Sequence, residues 1–73
     1  MKIPVRFKKL SESDIKKIEE YFDVFGEVRN IGVTEKRTTF YYYPNNISTA
    51  NEDLEIIKKT LKLVGFPDYL IED

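Results

Sequence analysis

The densest chemistry in the chain lies between Arg37 and Tyr43, where Thr38 and Thr39 are followed by Phe40, Tyr41, Tyr42 and Tyr43. In an extended strand successive side chains point to opposite faces, so Phe40 and Tyr42 share one face and Tyr41 and Tyr43 the other. Tyrosines on a solvated sheet face can stack on nucleic-acid bases, at about 1–3 kcal/mol per base. They can equally anchor a protein, because Tyr and Arg dominate interface hot spots. Cross-strand packing with no ligand is the third option. A second cluster is basic: Lys2, Arg6, Lys8 and Lys9 fall within the first ten residues, with no acid among them. Arg6 and Lys8 alternate with Val5 and Phe7, so they belong to the face opposite the apolar one. Arg6, Lys8, Asn30, Tyr41 and Tyr43 are therefore the candidate partner-binding residues.

Other chemistries are excluded by residue type. The 73 residues include no Cys and no His. Disulfides, thiolate metal sites and CxxC redox pairs are ruled out, as are His-based zinc sites and acid–base or triad catalysis. The carboxylate pairs Glu19-Glu20 and Glu52-Asp53 occupy adjacent helical positions, which diverge by about 100° and do not share a site. Pro44-Asn45-Asn46 has turn chemistry but not the glycines of a phosphate cradle. The expectation is a binding protein with no catalytic residues, no metal and no cofactor.

The elements that must position these residues follow from periodicity. Residues 3–9 alternate as a half-buried strand, with Ile3, Val5 and Phe7 inward. Ser11 with Asp14 starts a helix, Leu10 can staple to Ile15, and Ile15, Ile18, Phe22 and Phe25 form one apolar stripe. Gly26 is expected as its left-handed cap. Residues 27–34 read as a second strand with Ile31 and Val33 inward, and Glu35 to Arg37 as a tight turn. Thr38 to Tyr43 is the third strand. Thr49 with Glu52 predicts a second capping box, followed by the stripe Leu54, Ile57, Leu61 and Val64, then Gly65. Phe66 to Ile71 is a last strand, placed at a sheet edge by Pro67.

The stripe 15/18/22/25 before Gly26 recurs as 54/57/61/64 before Gly65, a constant offset of 39. Each half is strand, helix, strand. The sum is α+β, a ferredoxin-like β-α-β-β-α-β domain spanning 1–73, with a four-stranded antiparallel sheet and two helices on one face. The first and third strands should be central, which places Pro4 at its strand's start. Compact enzymes of this fold rely on a glycine-rich first loop followed by an arginine, and metallochaperones on a CxxC there. Neither stands between Leu10 and Ile15.

Val5 to Leu10, Ser13-Asp14 and the run Tyr21-Phe22-Asp23-Val24-Phe25-Gly26-Glu27-Val28 resemble the first half of an RNA-recognition motif. Arg37 to Tyr42 stands in the place of that family's aromatic third strand. The resemblance implies base stacking on three aromatics, one on the first strand and two on the third. Aligned through Leu10 and Arg37, those positions are Arg6, Thr39 and Tyr41, so one aromatic of the three is present.

Lys+Arg total 12 and Asp+Glu 13, a net charge of −1. The basic first strand and the last eight residues, with Asp68, Glu72 and Asp73, would be antiparallel neighbours. Lys2 is then expected near Glu72 and Arg6 near Asp68, which opposes a phosphate track. Glu55 and Lys59 suit an i,i+4 pair, and Lys58, Lys59 and Lys62 a small basic patch near a helix end. Met1 to Leu10 has no apolar signal core, and the longest apolar run is Phe40 to Tyr43, so a cytoplasmic protein without a membrane segment is expected. Residues with A/T-rich codons outnumber Gly, Ala, Arg and Pro about threefold, a composition seen in small accessory or inhibitory proteins of phages and mobile elements that act on nucleic-acid machinery. The expected partner is a protein held on the open sheet face, helped by the edge of residues 28–33. Single-stranded RNA or DNA is the alternative, and a homodimer through the same face the third reading.

Overall fold

Alternation in the first strand is carried into burial: Ile3, Val5 and Phe7 are buried, whereas Arg6 and Lys8 are exposed. This strand, β1 (Ile3–Lys8), opens the computed structural model, which describes residues 1–71. It is followed by helix α1 (Glu12–Asp23), strands β2 (Gly26–Val33) and β3 (Arg37–Pro44), and a 3-10 turn at Ile47–Thr49. Helix α2 (Ala50–Leu63) and strand β4 (Tyr69–Ile71) complete it. Among the described residues the strands form one antiparallel sheet in the order β2-β3-β1-β4. The domain is α+β with the ferredoxin-like topology, and the first and third strands are central. Pro4, second in β1, lies opposite Tyr41, and the described pairing with β4 begins one residue later, at Val5.

Both helices bury their stripes on one side of the sheet. Ile18 and Phe22 of α1, and Leu54, Ile57 and Leu61 of α2, share a single core with Ile3, Val5, Phe7, Phe40 and Tyr42. Phe22 is the keystone: its ring meets Phe40 and Tyr42 edge-on, each at a centroid distance of 5.1 Å. Such pairs add about 0.5–1.5 kcal/mol each beyond area burial. Thr38 is buried with them, and its Oγ1 accepts a hydrogen bond from the Leu10 amide at 3.1 Å. That bond fastens the entry of α1 to β3.

Several local expectations are corrected. Ser11 caps α1 as expected, accepting from the Asp14 amide. Gly26, however, is not a left-handed cap, because α1 ends at Asp23 and Gly26 opens β2. Its lack of a side chain answers a close approach, since a Cβ there would run into the Tyr43 carbonyl oxygen and the Tyr42 ring. Gly65 does take a positive φ, +95°, after α2. Thr49 makes no capping bond. The side-chain cap belongs to the preceding 3-10 turn, where Asn46 accepts from the Ser48 amide and hydroxyl, while the Thr49 hydroxyl donates to Asp53.

Ile31 and Val33 are not buried, at 41% and 50% exposure. Val33 pairs with buried Thr38, which puts it on the helix side, but β2 is an edge strand, and the fully buried strand residues belong to β1 and β3. A bulge between Arg29 and Gly32, with Asn30 at φ 59°, displaces Ile31 from simple alternation. Val64 also remains exposed. β4 is shorter than expected, beginning at Tyr69.

Candidate functional site: the open sheet face

Strand parity and register arrange the face away from the helices in rows. Glu27 of β2 lies opposite Tyr43 of β3, and Arg29 opposite Tyr41, which in turn faces Pro4 of β1. In the next row Gly32 faces Thr39, Thr39 faces Arg6, and Arg6 faces Leu70 of β4. The last row pairs Arg37 with Lys8.

This register brings together only part of the candidate set. Arg6, Asn30 and Tyr41 line one shallow hollow of about 190 Å³, with Pro4 and Thr39 between them. Asn30 reaches it because its left-handed backbone, which Asn tolerates better than most residues, sits at the bulge. Tyr43 stands at the far end of β3, opposite Glu27. Lys8 is apart from the tyrosines. It lines a second depression with Lys36 and Arg37, and its ammonium lies 3.6 Å from the Asp68 carboxylate. Asp68 was expected to pair with Arg6, but the register sets Arg6 against Leu70 instead. The expected Lys2–Glu72 pair lies outside the described residues. On α2 the ion pair joins Glu55 to Lys58 at 3.5 Å, three residues on rather than four.

Two cations that sequence reasoning left out of the site complete it. The Lys2 ammonium sits 4.5 Å from the centroid of the Tyr41 ring, and the Arg29 guanidinium 4.8 Å from that of Tyr43. Parity could have found both: Lys2 continues the series Arg6 and Pro4, and Arg29 shares the face of Glu27 across from the tyrosines. Arg29 also donates a 2.8 Å hydrogen bond to the Glu27 carboxylate. That bond holds the Glu27 carboxyl below its ordinary range and raises the Arg29 guanidinium, with their mutual attraction acting in the same direction.

The magnitudes bear on what the face can take. An exposed cation–π contact contributes about 0.5–1 kcal/mol. A stacked base contributes about 1–3 kcal/mol, so displacing the cation would offset a sizeable part of that gain. The Glu27 carboxylate beside Tyr43 further opposes a phosphate backbone along the same line. A protein surface has no such conflict, because it can approach the ring edges, the hydroxyls and the cations together. Among the described residues no group of three metal-ligating side chains converges. No helix among them is long and apolar enough to cross a membrane. Compared with family models, curated proteins and solved structures, the chain matches none.

Proposed function

We propose that this chain is a non-catalytic protein-binding module whose open sheet face makes the contact, centred on Arg6, Asn30 and Tyr41, with Tyr43 and Lys8 at its margins. The observation that carries this reading is the covering of both tyrosine rings by cations, Lys2 on Tyr41 and Arg29 on Tyr43. Mixed aromatic and cationic surfaces of this kind supply hot-spot residues to protein interfaces. The position that carries an aromatic in the resembled RNA-binding family is Arg6 here, which further favours a protein over a stacked strand.

The test is a titration of mixed single-stranded oligonucleotides against the wild type and a Tyr41→Ala/Tyr43→Ala variant, at low and moderate salt. The expected result is no binding by either protein. Micromolar binding that weakens steeply with salt and vanishes in the variant would overturn the reading in favour of single-stranded RNA or DNA. Sedimentation velocity over a concentration series addresses self-association. A monomer at every concentration is expected, whereas a dimer lost in the same variant would make the open face a homodimer interface.

A further inference from the structure

At the end of the sheet opposite Tyr43, cations are set against one another. Lys8 and Arg37 are direct cross-strand partners, a placement that repels. The Lys9 amide donates to the Lys36 carbonyl at 3.2 Å, which holds the next two cations at the same corner. Hydrogen bonds brace this corner. The Thr34 amide donates to the Arg37 carbonyl at 2.8 Å, and the Thr34 hydroxyl accepts from the amides of Lys36 and Arg37. The Leu10 amide is tied to Thr38. Lys8 is paired with Asp68 at 3.6 Å, well exposed, and among the described residues no ion pair involves Lys9, Lys36 or Arg37. Four cations, Arg6, Lys8, Lys36 and Arg37, and one carboxylate, Asp68, line an open depression of about 470 Å³ together with Leu70. Leu70 is half exposed there.

We propose, resting on the protein-binding reading above, that this corner takes a short acidic segment of the protein partner that also carries an apolar side chain. Like charges opposed across a strand pair are tolerated where an anion answers them, and a turn held by four local hydrogen bonds presents Lys36 and Arg37 without further ordering. Leu70 offers the apolar contact. A nucleic-acid strand fits less well. Tyr69 lies on the helix side, its ring against Phe7 at 6.2 Å, and the rings on the open face carry Lys2 and Arg29. Carboxylates stand at both ends of the face, Asp68 beside Lys8 and Glu27 opposite Tyr43, which opposes a continuous phosphate track.

The experiment measures fluorescence anisotropy at low salt with two probes, a labelled oligoglutamate peptide with a central leucine and an oligothymidylate of equal charge. Four proteins are compared: the wild type, K36E/R37E, K59E/K62E on α2, and Y41A/Y43A. The expected result is peptide binding by the wild type that weakens about tenfold or more in K36E/R37E and changes less than about twofold in K59E/K62E. Equal losses in the two charge-reversed proteins, or no peptide binding by the wild type, would overturn the inference. Tighter binding of oligothymidylate than of peptide would overturn both the inference and the protein-binding reading. Peptide binding lost in Y41A/Y43A but kept in K36E/R37E would overturn the corner alone and leave that reading standing.

Discussion

Tyr42 is fully buried against Phe22, yet among the described residues its hydroxyl has no hydrogen-bond partner. An unsatisfied buried hydroxyl is a standing penalty, and Phe fills the same space without it. Tyr42→Phe is therefore expected to stabilise the fold by about 1 kcal/mol, raising Tm by about 4–8 °C. A pH signature accompanies this. Burial pushes the Tyr42 hydroxyl up from its ordinary pKa, and the nearby Asp53 charge adds to the shift. The unfolded chain then loses this proton first, so the wild type keeps its stability below about pH 10 and loses some of it as pH rises from there through the higher folded-state value. Urea denaturation across pH should show a shallower alkaline decline in Tyr42→Phe than in the wild type. A less stable variant would show that the hydroxyl is satisfied. The inward direction of Tyr42 was legible from alternation alone. The orphaned hydroxyl was not, because it depends on how α1 lies across β3.

The two glycines after the helical stripes look equivalent in sequence, 39 residues apart, but they answer different demands. Gly65 supplies a positive φ in open space, whereas Gly26 admits the Tyr42 ring and the Tyr43 carbonyl. Gly26→Ala should accordingly cost about 1–3 kcal/mol through steric overlap. Gly65→Ala should cost about 1–2 kcal/mol through backbone strain. At Gly32 a Cβ would stand 3.4 Å from Thr39 Oγ1, and Gly32→Ala should stay within about 0.5 kcal/mol. Denaturant midpoints of the three variants check these magnitudes. If Gly26→Ala proved as mild as Gly32→Ala, the close approach at the start of β2 would be wrong. Element order and strand pairing were readable because each stripe and alternation is long. The junctions were not: α1 passes into β2 without a left-handed residue, a 3-10 turn capped by Asn46 precedes α2, and the Asn30 bulge lies inside an unbroken β-like run.

Across the whole molecule, a net charge of −1 conceals a basic corner built by Lys8, Lys9, Lys36 and Arg37. The sequence pointed to charge pairing between the first strand and the last segment, and Lys8 with Asp68 makes one such pair. Topology made β1 and β3 neighbours, but only the register sets Lys8 against Arg37 and moves Asp68 to Lys8. That register has a consequence for the free protein. Exposed like charges directly opposed on a strand pair destabilise by about 0.2–1 kcal/mol, and salt screens the repulsion. Arg37→Glu replaces repulsion with attraction toward Lys8 while leaving the backbone bonds of the Thr34 turn in place. The variant should be more stable than the wild type at low ionic strength, by a few degrees in Tm. The difference should shrink as salt approaches about 0.5 M, because screening relieves the wild type and weakens the new pair. Thermal unfolding at two salt concentrations checks both statements. A variant less stable at low salt would mean that Lys8 and Arg37 do not oppose each other. Gained stability together with lost peptide binding would identify the corner as a place where the fold carries strain for its ligand.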